Sequence, residues 1–262
     1  MSSAPMRYRE IAPSDRVSGL VASLWEFTAN DSLKPGHLHS IPLDGCVSVA
    51  YARSSNGGSR VVFVGPRLES LQVAIFPNDI IWGIRFLPGA SRPAIGKSGE
   101  EWFGKSGLLA YEMPDLVRAL GGLHSVASLE EAAPLLEGLV QSNSPCPEVM
   151  RGVYAITASQ GTVKVSELPD LVGLSERQFQ RLFRSEVGLT PKQYSRICRL
   201  RGTAIDVARA RSINWGEIAA ERGFADQSHL IHEFQSLFGI SPGEFEGRFL
   251  AEIEHGDMRL DL

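Results

Sequence analysis

Ser175–Tyr194, SERQFQRLFRSEVGLTPKQY, and Asp226–Phe245, DQSHLIHEFQSLFGISPGEF, are one pattern written twice at an offset of 51 residues. Ser175, Phe179, Phe183, Gly188, Thr190, Pro191 and Tyr194 superpose on Asp226, Leu230, Phe234, Gly239, Ser241, Pro242 and Phe245. Each copy opens on a side chain able to accept from the free N–H groups of a helix start and repeats apolar residues at i and i+4. Each stops at a glycine and restarts at Thr/Ser-Pro, where the missing proline N–H costs nothing. A shorter helix precedes each copy, Ser166 to Val172 and Gly216 to Arg222, with Gly173 and Gly223 in the turns. A single such unit could be a helical hairpin in an ordinary core. Duplication, with the cap pairs Ser175/Gln178, Thr190/Gln193, Asn214/Glu217 and Ser241/Glu244, points instead to a double helix-turn-helix.

The long helices of the two units, about 175–186 and 227–238, are the candidate reading elements. On the first, Phe179, Leu182 and Phe183 share one face, which leaves Arg177, Gln178, Gln180, Arg181 and Arg184 on the rest of the surface. Arg pairs bidentately with guanine and Gln with adenine in the major groove. A merely solvated helix would more usually interleave Glu at i+4, and here Glu stands only at the ends. The net charge of −4 is no obstacle, because Leu174–Arg201 holds seven bases against two acids. Pro191 to Ala210, as a helix of about 1.5 Å per residue, spans roughly 30 Å. That is close to the roughly 34 Å turn of B-DNA, so one chain can address successive major grooves.

Upstream, Ser142-Asn143-Ser144-Pro145-Cys146-Pro147 reads as a linker at 142–147. It separates a first domain, 1–141, from a DNA-binding domain, 148–250, with an acidic tail at 251–262. The first domain is β-rich over 1–105: Leu20–Phe27, Cys46–Ala52, Arg60–Val64, Leu71–Phe76 and Ile80–Leu87 are short, β-branched or aromatic runs. Asn56-Gly57-Gly58 turns a hairpin between two of them. From 108 to 141 the period is helical, with Leu116, Val117 and Leu120, then Leu135, Leu136 and Leu139, and a capping box at Ser128/Glu131. The expected fold is therefore two-domain α+β: an N-terminal antiparallel β-barrel or sandwich with following helices, then an all-α double helix-turn-helix.

With 43% hydrophobic and 21% charged residues the composition is that of a globular protein, and no apolar run reaches the roughly 18 residues of a membrane span. Met1 to Glu10 lacks an export signal, so a cytoplasmic, nucleoid-associated protein is expected. Cys46, Cys146 and Cys198 are far apart and outside any zinc spacing.

The segment Val165 to Phe249, above all Gly223-Phe224-Ala225-Asp226-Gln227-Ser228-His229-Leu230 with Phe234, Phe238-Gly239-Ile240-Ser241-Pro242 and Phe245, resembles the C-terminal signature of AraC/XylS regulators. Less specifically, Ile41-Pro42-Leu43-Asp44-Gly45 and Gly83-Ile84-Arg85-Phe86-Leu87-Pro88-Gly89 resemble the cupin-like sensor domains attached to them. The resemblance implies an effector-responsive transcription regulator, activator or repressor. Double-stranded DNA, RNA polymerase, a small-molecule effector and a second copy of the chain, paired through the Leu116–Leu139 faces, are its implied partners. It assigns base contact to Arg177, Gln180 and Arg181, with Arg184 beside them, and to Ser228, His229 and His232. Trp25, His39, Trp82 and Arg85 are candidate effector residues. Three departures stand out: Pro169 in the first short helix, Gly202 in the connecting helix, and His232 where relatives often carry Arg.

Rival readings fare worse. A cupin metalloenzyme would need more than His37 and His39, and no metal set, nucleophile with its base, or cofactor motif is visible. A DNA alkyl-transfer repair protein would need zinc cysteines and a reactive Cys followed by His, whereas Pro147 follows Cys146. No catalytic residue is expected.

Overall fold

The computed structural model of the chain describes residues 5–41, 43–141, 143–209, 213–238 and 240–244. The acidic tail, Pro42, Ser142, Ala210, Gly239, Phe245 and Phe249 lie outside the described residues, as does the side chain of Phe238.

The N-terminal region is antiparallel throughout. Strands β1 (Met6–Ile11), β2 (Val21–Ala29), β3 (His37–Ile41), β4 (Val47–Arg53), β5 (Ser59–Val64), β6 (Leu71–Ile75), β7 (Ile80–Phe86) and β8 (Ser106–Leu108) form two sheets. One is six-stranded, in the order β1-β2-β7-β4-β5-β8; the other is the ribbon β3-β6. The five strands expected from alternation are β2, β4, β5, β6 and β7; β1, β3 and β8 are additional. At the centre, Val49 faces Ile84 and Tyr51 faces Trp82 across the β4/β7 pair. These residues and Phe86 are at most 4% exposed, and burying each large side chain stabilises the fold by about 1.5–3 kcal/mol. Asn56 accepts from Gly58 N–H at 3.0 Å in the expected β4/β5 hairpin loop, where Gly57 has φ +81°.

The helices that follow are α1 (Ser91–Ile95), α2 (Gly99–Trp102), α3 (Pro114–Ala119) and α4 (Leu129–Glu137). Ser128 caps α4 by accepting from Glu131 N–H, but the Glu131 carboxylate reaches back to Ala127 rather than Ser128. Gly121 and Gly122 sit in a 3-10 turn, Leu120–Ser125, that continues α3. Leu120, Leu123, Leu129 and Leu136 are fully buried in one cluster with Val49, Trp82 and Ile84, and Leu116, Val117 and Leu135 pack against it. Most of the apolar stripe expected to meet a second copy is thus a layer of the chain's own core, with Leu116, Val117 and Leu135 left half-buried at its edge. Arg53 locks the turn onto the sheet, donating to His124 and Val126 carbonyls at 3.1 and 3.0 Å while lying over the Trp82 ring.

Residues Asn143–Cys146 run along α1, with Asn143 Nδ2 donating to the Pro93 carbonyl at 3.2 Å. Then come α5 (Pro147–Ala158), α6 (Leu168–Val172), α7 (Glu176–Val187), α8 (Pro191–Arg209), α9 (Trp215–Glu221) and α10 (Gln227–Phe238). Their core, Phe179, Phe183, Tyr194, Leu200, Leu230 and Phe234 among others, also takes in Leu43 from the β-region. The reciprocal boxes expected at Ser175/Gln178, Thr190/Gln193 and Ser241/Glu244 are formed. Asn214 accepts from Gly216 and Glu217 N–H. The first short helix, expected over Ser166 to Val172, starts later: Val165–Glu167 is a 3-10 turn, and Pro169 is the second residue of α6. There, within the first turn, proline breaks no intrahelical bond. Gly202 also has a packing reason, since a Cβ there would meet Arg222 Nη1 at 2.6 Å. Arg222 in turn forks onto both Asp206 oxygens at 2.6 Å, tying α9 to α8.

Candidate nucleic-acid interface

Helix α7 is built so that its apolar residues are used inward. Phe179 and Phe183 are 0% exposed and Val187 1%. Phe179 settles against α5 at Gly152, where a Cβ would stand 2.8 Å from its ring. With those positions spent, the helical period turns Arg177, Gln180, Arg181 and Arg184 outward, and all four are exposed. The Ser175 box fixes the start of the helix, and Gly188, in the left-handed region at φ +83°, ends it. Among the described residues Arg177 and Arg181 have no charged partner, whereas Gln180 donates to Glu176 at 2.9 Å and Arg184 Nε lies 3.4 Å from Glu100.

Other bases of the stretch are committed to holding the units together. Arg196 pairs with Glu233, joining α8 to α10. Arg199 lies 4.7 Å from the centre of the Phe224 ring and donates to the Gly223 carbonyl at 3.2 Å, bracing the turn of the second unit. The basic balance seen in sequence is therefore divided: α7 presents its share to solvent, and α8 uses much of its share internally.

In the second unit Ser228, His229 and His232 are all exposed on α10. Asp226 caps the helix by accepting from His229 N–H at 2.7 Å. The His229 ring meets Phe224 edge-on at 5.6 Å, and its Nδ1 accepts from Ala225 N–H at 3.2 Å. That ring is engaged in the turn, which leaves Ser228 and His232 as the freer pair. Helix α8, 19 residues long and hence about 28 Å, separates the two units.

The four candidate effector residues do not converge. Trp25 lies on Gly83, where a Cβ would overlap its indole, and Arg85 shares that sheet face. Trp82 is on the opposite face, fully buried, its Nε1 donating to Glu26 at 2.8 Å. His39, on the ribbon, packs 5.1 Å from Phe27. Arg85 instead centres a partly buried polar cluster: it donates to Glu10 at 2.8 Å and to the Tyr8 hydroxyl at 3.1 Å, and Asp44 stands 3.0 Å from its Nε. Although burial alone would favour the neutral form, Asp44, Tyr8 and Glu10 hold the Arg85 guanidinium firmly charged.

Burial, then the charge of His37, pushes the His39 imidazole below its ordinary range. The unfolded chain, with its His near pH 6.5, binds this proton more readily than the folded one. Stability is therefore expected to fall as pH drops from about 7 to 5. His39→Gln should flatten that part of the profile in urea unfolding; an unchanged slope would locate the effect elsewhere. Among the described residues no three His, Cys, Asp or Glu side chains come together as a metal set.

Residues 168–248 match the family described as a helix-turn-helix domain, and residues 9–106 match a domain family of unknown function. A probable transcriptional regulator, LumQ of Photobacterium leiognathi, is 33% identical over 87 residues, 33% of this chain and 35% of that protein. A probable thc operon regulatory protein of Rhodococcus erythropolis is 27% identical over 162 residues, 56% of this chain and 48% of that protein. The chain thus spans about half or less of the length of these curated relatives. Among solved structures, an AraC-type DNA-binding domain protein from Chromobacterium violaceum aligns with TM-score 0.37 at 23% identity, over 39% of this chain and 92% of that one. The apo form of a ToxT variant from Vibrio cholerae aligns with TM-score 0.43 at 12% identity, over 86% of this chain and 96% of that one.

Proposed function

We infer that this chain, whose residues 168–248 match a helix-turn-helix domain family, is a sequence-specific DNA-binding transcription regulator of the AraC/XylS type. The observation that carries the reading is the pair of capped helices, α7 and α10, each anchored by buried aromatic or leucine side chains and joined by α8. The outward face of α7 holds Arg177, Gln180, Arg181 and Arg184. Side chains of these types read base edges in the major groove, and the length of α8 suits two successive grooves on one side of a duplex. The first unit supplies most of the cationic contact, and Ser228 and His232 make the lighter contacts of the second. The relatives are named as regulators, which favours action by binding rather than by catalysis. On this reading the N-terminal β-region senses a small molecule, RNA polymerase is the downstream partner, and the protein works in the cytoplasm on the nucleoid. A second copy of the chain is a further partner on this reading, and Leu116 and Leu135, half-buried at the edge of the first core, are the leucines of α3 and α4 that stay open to it.

The test begins with duplexes selected from genomic fragments, followed by Arg181→Ala. Arg181 is solvent-facing, so stability should change by about 0.5 kcal/mol or less. Specific affinity should fall by about 1–3 kcal/mol, with selectivity lost at one or two operator positions. Uniform weakening with a salt slope reduced by about one would make it a phosphate contact. Binding curves for Arg181→Ala that match wild type on specific and random duplexes would remove α7 from the interface.

A further inference from the structure

The C-terminal end of α7 does not stand free of the β-region. At Gly99, the first residue of α2, a Cβ would overlap the Val187 carbonyl, and one at Gly188 would overlap the Gly99 carbonyl. The two backbones touch because both residues are glycine. Arg92 of α1 adds a single Nε–H shared between both carboxylate oxygens of Glu186 at 3.1 Å. The neighbouring Gly89 leaves room for Val149 of α5, where a Cβ would stand at 2.9 Å. Helix α2 is itself pinned by a reciprocal box in which Ser98 accepts from Glu101 N–H and the Glu101 carboxylate accepts from Ser98. Glu101 being used in that box, Glu100 is the carboxylate that α2 presents to α7. It lines one open cleft together with Arg177, Gln180, Arg181 and Arg184.

We propose that docked α2 is an autoinhibitory contact: Glu100 occupies Arg184 and places a negative charge beside the face of α7 that meets DNA, and binding tightens when the contact opens. The proposal rests on the DNA-binding reading above. The Glu100/Arg184 pair is 51% and 62% exposed, so it contributes little to the fold and opens cheaply. A phosphate brought to Arg184 would, however, lie within the screening length of about 8 Å from Glu100 and be repelled by it. The pair thus costs the free protein almost nothing while penalising the complex.

Anisotropy titrations of the full chain on a selected duplex and a random one, over a salt series, test this. Glu100→Gln should bind both duplexes about three- to tenfold more tightly at low salt, with the slope of log K against log salt steeper by about one. Glu100→Lys should exceed it, and in an Arg184→Gln background the gain from Glu100→Gln should largely vanish. Wild-type binding with Glu100→Gln within twofold of it and an unchanged slope would overturn the inference while leaving the DNA-binding reading intact. A full gain in the Arg184→Gln background would overturn the pairing. If neither wild type nor Glu100→Gln binds any duplex, the DNA-binding reading itself fails and the inference with it.

Discussion

Arg85→Met is expected to destabilise the β-region by about 3 kcal/mol, the low end of what breaking a buried ion pair costs. Arg85 is 16% exposed, and Glu10 and Asp44 are each 18% exposed. Methionine keeps most of the volume but leaves two carboxylates and the Tyr8 hydroxyl without the cation that joins them. The loss should therefore come from uncompensated charge rather than from a cavity. Urea unfolding separates the two, because Glu10→Gln and Asp44→Asn added to Arg85→Met should recover most of the stability. If the triple variant is no more stable than Arg85→Met, packing and not charge is what Arg85 supplies. The cluster also joins β1, β7 and the Asp44 turn. Asp44 accepts from Cys46 N–H at 2.8 Å, and at the adjacent Gly45 a Cβ would stand 2.8 Å from the Tyr194 ring on α8. Arg85→Met should accordingly loosen the contact between the β-region and the C-terminal helices as well as the sheet.

What could be read from sequence divides along how local the cause is. Helices α7 and α10 were legible to within a residue because their signals, a capping side chain, an apolar i/i+4 stripe and a glycine stop, all lie inside one short segment. Strand β1 was hidden because its alternation lasts only from Met6 to Arg9: Glu10 stands where the next apolar residue would fall, and Ile11 reverses the period. Its charges are compensated by residues far along the chain, Arg9 by Glu26 and Glu130 and Glu10 by Arg85. Strand β3 passed as the pair His37 and His39, whose rings do not form a metal site, and β8 is too short to show a period. Helix α2 was legible in principle, since Ser98 and Glu101 carry the same box signature as Ser175 and Gln178.

The candidate interface follows the same division. Helical period alone turned Arg177, Gln180, Arg181 and Arg184 outward. That the His229 ring closes its own turn, or that Glu100 lies beside Arg184, depends on contacts that no local pattern specifies. The leucines of α3 and α4 show a related limit. An amphipathic stripe declares that a face will be covered and does not say by what, and here the chain's own sheet covers it.

Phe183→Ala is expected to have a large effect on the C-terminal helical half. Its ring is 0% exposed, 5.5 Å from the ring of Phe179 and 6.0 Å from that of Tyr194. The Tyr194 hydroxyl is in turn 2.9 Å from Thr157 on α5. Phe183 is therefore the point at which α5, α7 and α8 meet, with Gly152 leaving the space on α5 that keeps the cluster close. Truncation removes the transfer free energy of the ring and leaves a cavity, together about 3–5 kcal/mol. That is a large share of the roughly 5–15 kcal/mol by which a domain is stable. Phe183→Leu, which fills more of the space, should cost clearly less. Since the same ring seats the helix that presents Arg177 and Arg181, Phe183→Ala should weaken binding to every duplex in proportion to the unfolded fraction. Arg181→Ala should do the opposite, sparing stability and changing selectivity. Urea midpoints measured alongside anisotropy on specific and random duplexes distinguish them. A Phe183→Ala protein within about 1 kcal/mol of wild type would show that the junction closes up around the gap, and that α7 is held by its caps and by α2 rather than by its aromatic face.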